Sequence, residues 1–129
     1  MSLLVVNAQA PARQSGQMAE LAERVSDLVR RARIVHLPIA HLHQGEHGAA
    51  TALQIPIGRY DPVFKAVDLW DEFPNGLIEF IASSPSKTIN LAGAIRQAQF
   101  DRLVELLADA GFVARIQSAA LISLEDEAA

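Results

Sequence analysis

The sequence predicts an α/β fold, a three-layer sandwich around a mostly parallel sheet of about five strands. Two observations carry that prediction. Short, continuous apolar runs alternate along the chain with two long segments whose apolar residues recur at helical spacing. The chain has 129 residues, half of them apolar and 20% charged, enough for one packed domain over residues 1–129. Right-handed crossovers between successive strands then place helices on both faces of the sheet. Only 5% of the residues are aromatic, so the core is built from Ala, Val, Leu and Ile.

Leu3-Leu4-Val5-Val6 is an apolar run suited to a strand buried on both faces. Asn7 to Ser15, with Pro11, reads as a loop, and Ser15 is placed to cap a long helix reaching Arg33. Met18, Leu21, Val25, Leu28, Val29 and Ala32 form that helix's buried stripe. Glu20 with Arg24, and Asp27 with Arg31, are four apart and should pair on its wet face. Pro38 to Leu42 reads as a second strand, followed by a polar stretch, His43 to Gly48, and small residues to Gly58. Val63 to Val67 is the third strand, and Pro74 opens a short helix carrying Leu77, Ile78 and Ile81. Thr88 to Ala92 is the fourth strand, ended by Gly93. Ala98 to Ala110 forms a second strong helix, buried through Leu103, Val104, Leu106 and Leu107, with Gly111 as its left-handed cap. Phe112 to Gln117 is the fifth strand, and the acidic tail 125–129 is expected to fray.

Composition excludes several classes. Eleven Lys plus Arg against 15 Asp plus Glu give a net charge of −4, which offers no footprint for nucleic acid or an anionic membrane. With no cysteine there are no disulfides, zinc–thiolate sites, iron–sulfur clusters or thiol nucleophiles. No charge-free apolar stretch approaches the roughly 18 residues of a membrane span, and residues 1–20 lack the basic-then-apolar layout of a signal peptide. A soluble, cytoplasmic protein is expected. Gly-rich phosphate loops and the Gly-x-Ser-x-Gly elbow are absent, so neither a nucleotide cofactor nor serine hydrolysis is indicated, and no cofactor is assigned.

In parallel α/β sheets, ligands sit beyond the carboxyl ends of the strands. Here those ends are read as Asn7, His43, Lys65 to Asp68, Gly93 and Gln117. At these ends the chain resembles the isochorismatase-like hydrolases, the superfamily that includes nicotinamidases. Val5-Val6-Asn7-Ala8-Gln9 stands where that family has Asp-x-Gln, and Lys65 with Phe73 and Leu77-Ile78 resembles its third strand and the helix beyond. Gly93 and Gly111 keep the family's separation, Gly111-Phe112 is similar to its Gly-Tyr, and Ser118 to Ser123 is similar to its Asp-Ala-x-x-Ser segment.

The resemblance implies a cysteine nucleophile at a helix N-terminus, an aspartate that takes its proton, and a lysine beside them. This chain departs from that set. Gln99 stands at the cysteine position and Asn7, a neutral amide, at the aspartate position; only Lys65 is retained. Losing nucleophile and base together should abolish the family's covalent hydrolysis. Asn7, Lys65 and Gln99 are therefore relic catalytic positions that could line one pocket. Each also has a plainer reading: Asn7 as a strand terminator, Lys65 as an ion-pair partner of Asp61 or Asp68, and Gln99 as a polar first-turn residue.

His36, His41, His43 and His47 lie close together, and Glu46 could join them, but the spacing matches no strong zinc signature. No metal is assigned. Asp68-Leu69 followed by Pro74-Asn75-Gly76-Leu77 faintly resembles a response-regulator receiver, although Asn7-Ala8 stands where a receiver's acidic pair would hold Mg²⁺.

The sequence therefore predicts a non-catalytic, isochorismatase-like domain that works by binding or assembly, as a homo-oligomer covering its bare sheet edges. A small-molecule ligand in the relic pocket is compatible with that reading. The alternatives are a hydrolase of small amides or esters centred on Lys65 and an atypical receiver-like domain.

Overall fold

The computed structural model describes residues 1–10, 16–45, 50–66, 74 and 76–124. Along the chain run β1 (Ser2–Ala8), α1 (Gly16–Ile34), β2 (Ile39–Gln44), β3 (Val63–Ala66), α2 (Leu77–Ala82), β4 (Thr88–Arg96), α3 (Gln97–Asp109) and β5 (Val113–Leu124). The strands make one sheet in the order β3-β2-β1-β4-β5, every neighbouring pair parallel. The chain builds outward from β1 to β3, then returns to β4 on β1's other side. That reversal creates a switch point between β1 and β4, where crevices form in such sheets. A receiver has the order 2-1-3-4-5, so this topology removes the receiver-like alternative. Its candidate Asp68 lies outside the described residues.

Two apolar layers hold the sheet. Met18, Leu21, Val25, Val29 and Ala32 of α1 pack against Leu3, Val5, Ile39, Ala92 and Ala94 on one face. Leu77 and Ile81 of α2, with Leu103 and Leu107 of α3, pack against Leu4, Val6, Leu42, Leu91 and Ile95 on the other. Strand alternation explains the split: in β1, odd positions face α1 and Leu4 and Val6 face α2 and α3. Among the described residues no helix is long and apolar enough to cross a membrane.

The structure moves several predicted boundaries. β2 runs on to Gln44, so His43 is a strand residue and not the start of a loop. β4 continues to Arg96 and enters α3 with no intervening loop, and β5 extends to Leu124. The carboxyl ends of β4 and β5 are therefore Arg96 and Leu124, in place of Gly93 and Gln117. Gly93 reads as a terminator, yet it lies inside β4 with φ +118°. A Cβ there would overlap the carbonyl oxygen of Val6 on β1, so glycine is needed for close strand approach. In β5 the small residues before Leu121 form a bulge, and pairing resumes at Gly93↔Leu121. The short helix begins at Leu77, after Gly76 at φ +88°, and not at Pro74.

On α1 the expected Glu20–Arg24 pair is present at 2.5 Å. Asp27, however, pairs with Arg30 and not with Arg31. Val104 and Leu106 of α3 are only partly buried, leaving Leu103 and Leu107 as its core stripe. Ser15, Val67, Phe73 and the tail 125–129 lie outside the described residues.

Candidate functional site

The register places Asn7, His43 and Lys65 side by side at the carboxyl end of the sheet, on β1, β2 and β3. Paired residues of parallel strands point to the same face, so this row faces the α1 side. Asn7 is 3% exposed. Its Nδ2 donates to the Leu53 carbonyl at 2.9 Å, and its Oδ1 accepts the Leu53 N–H at 2.9 Å. The amide offers both the donor and the acceptor that this arrangement needs, whereas an ionised carboxylate would offer acceptors alone. The segment carrying Leu53 is laid over β1 by main-chain bonds, from Ala52 N to Ala8 O and from Ala10 N to Ala50 O, each 2.8 Å. Leu53 and Ala52 then join the α1-side core. The space over Asn7 is thus filled by the chain itself.

Gln99 lies on the other face. It is the third residue of α3 and is buried, one turn before Leu103. Its Oε1 accepts a hydrogen bond from Gln44 Nε2 at the end of β2. Gln44 is paired in register with Ala8, one residue beyond Asn7, so its side chain turns to the face opposite Asn7. The Gln44 Oε1 atom is buried and finds no partner among the described residues.

Lys65 is exposed on the edge strand β3. It does not pair with Asp61, because Asp61 is engaged elsewhere. Arg33 Nη1 and Nη2 donate to the two Asp61 oxygens at 3.0 and 2.6 Å, and Gly58 N–H donates to Oδ2 at 2.9 Å. His41 Nε2, on a ring only 1% exposed, lies 3.3 Å from the same oxygen. Burial pushes the Asp61 carboxyl up, but Arg33, Gly58 and His41 together hold it below its usual range. Burial lowers His41, against the pull of Asp61. His43 is lowered by burial first, then by the nearby charges of His41 and Lys65.

Of the three predicted site residues, Asn7 and Lys65 share one register row, and Gln99 is bonded on the opposite face of the sheet. Sequence reading missed Leu53, Gln44 and the Arg33–Asp61 pair. Gln44 had a signal: it continues the alternation of Ala40 and Leu42 onto a buried face. The Arg33–Asp61 contact spans 28 residues and leaves no local signature. Among the described residues no group of three or more His, Asp or Glu is placed to hold a metal; Glu46 and His47 lie outside them.

A five-stranded parallel sheet in this order, with helices on both faces and one entering directly from β4, defines a three-layer α/β domain. More particularly, the fold is isochorismatase-like. A crystal structure of an isochorismatase from Pseudomonas putida KT2440 superposes with a TM-score of 0.75 at 20% identity, covering 95% of this chain and 70% of that one. N-carbamoylsarcosine amidase from Thermoplasma acidophilum gives 0.73 at 11% identity, covering 96% of this chain and 86% of that one. An isochorismatase family protein from Burkholderia thailandensis gives 0.70 at 14% identity, covering 95% and 79%. No family model and no curated protein matches the sequence.

Proposed function

We propose that this chain is a non-catalytic isochorismatase-like domain acting by binding or assembly. The observation that carries the reading is the Asn7 amide, bonded in both directions to the Leu53 main chain. A residue held in that way neither accepts a proton nor meets a substrate. Gln99 supports the same reading, since its side chain is bonded to Gln44 and carries no nucleophile. Self-association is supported by the outer edge of the sheet, where Val113 is 64% exposed and Ile116 43%. An uncovered edge strand favours pairing with another chain.

A hydrolysis panel of nicotinamide, an N-carbamoyl amino acid and a p-nitrophenyl ester tests the proposal. The expected rate is that of buffer. Turnover above background that disappears in Lys65→Ala would replace this reading with a hydrolase centred on Lys65. Light scattering at micromolar concentration tests assembly: a dimer or larger species is expected, and a monomer would remove the assembly arm.

A further inference from the structure

The opposite end of the sheet holds a cleft of about 330 Å³ between α1 and the amino-terminal parts of β1, β4 and β5. We propose that this cleft binds a small carboxylate with an apolar body, its head group taken by Arg31 and Arg115. The floor is a register row, Leu3–Asn90–Arg115, across the three strands. Leu28 and Ala32 of α1 supply an apolar wall. No Asp or Glu lines it.

Three observations point to an anion. First, the other arginines of this surface are neutralised: Arg24, Arg30 and Arg33 each pair with a carboxylate. Arg31 and Arg115 form no ion pair among the described residues, and Asp27, the sequence neighbour suited to Arg31, is taken by Arg30. Both lie on the lining of the same cleft, and both are exposed, so their forks can reach a ligand. Second, the chain is acidic overall, at −4, so two unpaired arginines beside an apolar floor are a local feature and not part of a basic surface. Third, Asn90 is 8% exposed and half satisfied. Its Oδ1 accepts from Gln117 Nε2 at 2.9 Å, but its Nδ2 reaches only the Met1 sulfur at 3.4 Å. A thioether is a weak acceptor, and a carboxylate oxygen would serve that N–H better.

Arginine forks match carboxylates bidentately, and the apolar wall would cover the ligand's body. The volume stands at the small end of ligand pockets, which fits an aliphatic or aryl monocarboxylate and not a nucleotide. This cleft lies at the amino end of the strands, away from Asn7 and Gln99, so it is independent of the function proposed above.

Calorimetric titration with octanoate tests the inference, using octanol as the uncharged control and an Arg31→Gln/Arg115→Gln double variant. Both arginines are exposed, and circular dichroism checks that the variant is folded. Saturable one-to-one binding of octanoate is expected, at least about fivefold weaker for octanol and for the double variant. The Asn90 side-chain amide resonance should shift on titration. No saturation by about 5 mM octanoate, a smaller difference in either control, or an unmoved Asn90 resonance would overturn the proposal.

Discussion

At the carboxyl end of the sheet, Asn7 and Gln99 commit their hydrogen-bonding capacity to the protein itself. At the amino end, Arg31 and Arg115 have no carboxylate partner among the described residues, and Asn90 reaches a sulfur. The two ends belong to one sheet and share β1, the first row running on to β2 and β3 and the second to β4 and β5. What differs is the chain folded over them. Residues 50–53 cross the end of β1 and bring the Leu53 main chain to Asn7, whereas in the row Leu3–Asn90–Arg115 the Asn90 amide meets, among the described residues, only the side chains of Gln117 and Met1. A polar side chain at a strand end is available for ligands only if its own backbone neighbours leave it so. The first end is therefore a locking device, and its variants should register as stability. The second should register as binding.

The largest effect should come from Gly93, which lets β4 lie against β1 beside the lock. In Gly93→Val the side chain would overlap the Val6 carbonyl, and its φ of +118° is closed to a β-branched residue. A loss of about 4 kcal/mol or more in urea unfolding is expected, enough to abolish the folded state in a marginal domain. A variant within about 1 kcal/mol of wild type would show that the strand approach is not tight.

Next is the lock itself. Asn7→Leu keeps the apolar burial but strands the Leu53 N–H, which is bonded to Asn7 alone. The Leu53 carbonyl retains Thr51 Oγ1 at 3.2 Å. One buried unsatisfied donor and a weakened acceptor cost about 2–4 kcal/mol, read as a lower urea midpoint at unchanged slope. Asn7→Asp is the more informative change. It puts the aspartate of the resemblance at this position but sets a carboxylate against the Leu53 carbonyl, so its deficit against wild type should be largest at neutral pH and shrink on acidification. An equal deficit at both pH values would mean that the segment 50–53 yields, and that the space over residue 7 opens more easily than its bonding indicates.

The element types and their order were legible because the apolar runs and helical stripes are local patterns. Strand lengths were less so. Gly93 looks like a stop and is a contact, a difference that depends on how closely β1 passes. Ser118-Ala119-Ala120 lies beyond the predicted end of the fifth strand at Gln117 and is part of a bulged strand. The candidate site was half legible. The family resemblance located Asn7, Lys65 and Gln99; the plainer reading of Asn7 was a strand terminator, yet β1 runs through it to Ala8, and its side chain bonds to the Leu53 main chain. Its partner was not legible, because a segment 46 residues away supplies it and the bond is to backbone, which carries no sequence signal. The same limit hid Arg31: helical spacing pairs Asp27 with either Arg30 or Arg31, and only the side-chain geometry decides between them.

The ion-pair cluster ahead of β3 gives a smaller effect. In Asp61→Asn the Arg33 fork loses its charge partner, and the buried His41 ring loses its carboxylate. Arg33 is 38% exposed, so solvent screens that half of the loss, and about 1–2 kcal/mol is expected.

The smallest effect, and the one that separates the two ends most cleanly, is in the pH dependence of stability. His41 and His43 both have folded values lowered from 6.5, burial being the first cause in each. The unfolded chain therefore binds protons that the folded chain refuses. Their contribution is complete above about pH 6.5 and is lost as pH falls from there toward the folded values. Asp61 acts in a lower window: its value is depressed from 3.8, so its contribution is present above that and lost as pH falls through the folded value. His41→Gln should reduce the first loss without abolishing it, because His43 remains, and Asp61→Asn should remove the second. Arg31→Gln/Arg115→Gln leaves His41, His43 and Asp61 and their partners in place, so it should leave the stability–pH curve parallel to wild type. A curve that changed slope in that double variant would couple the two ends through α1, which carries both Arg31 and Arg33.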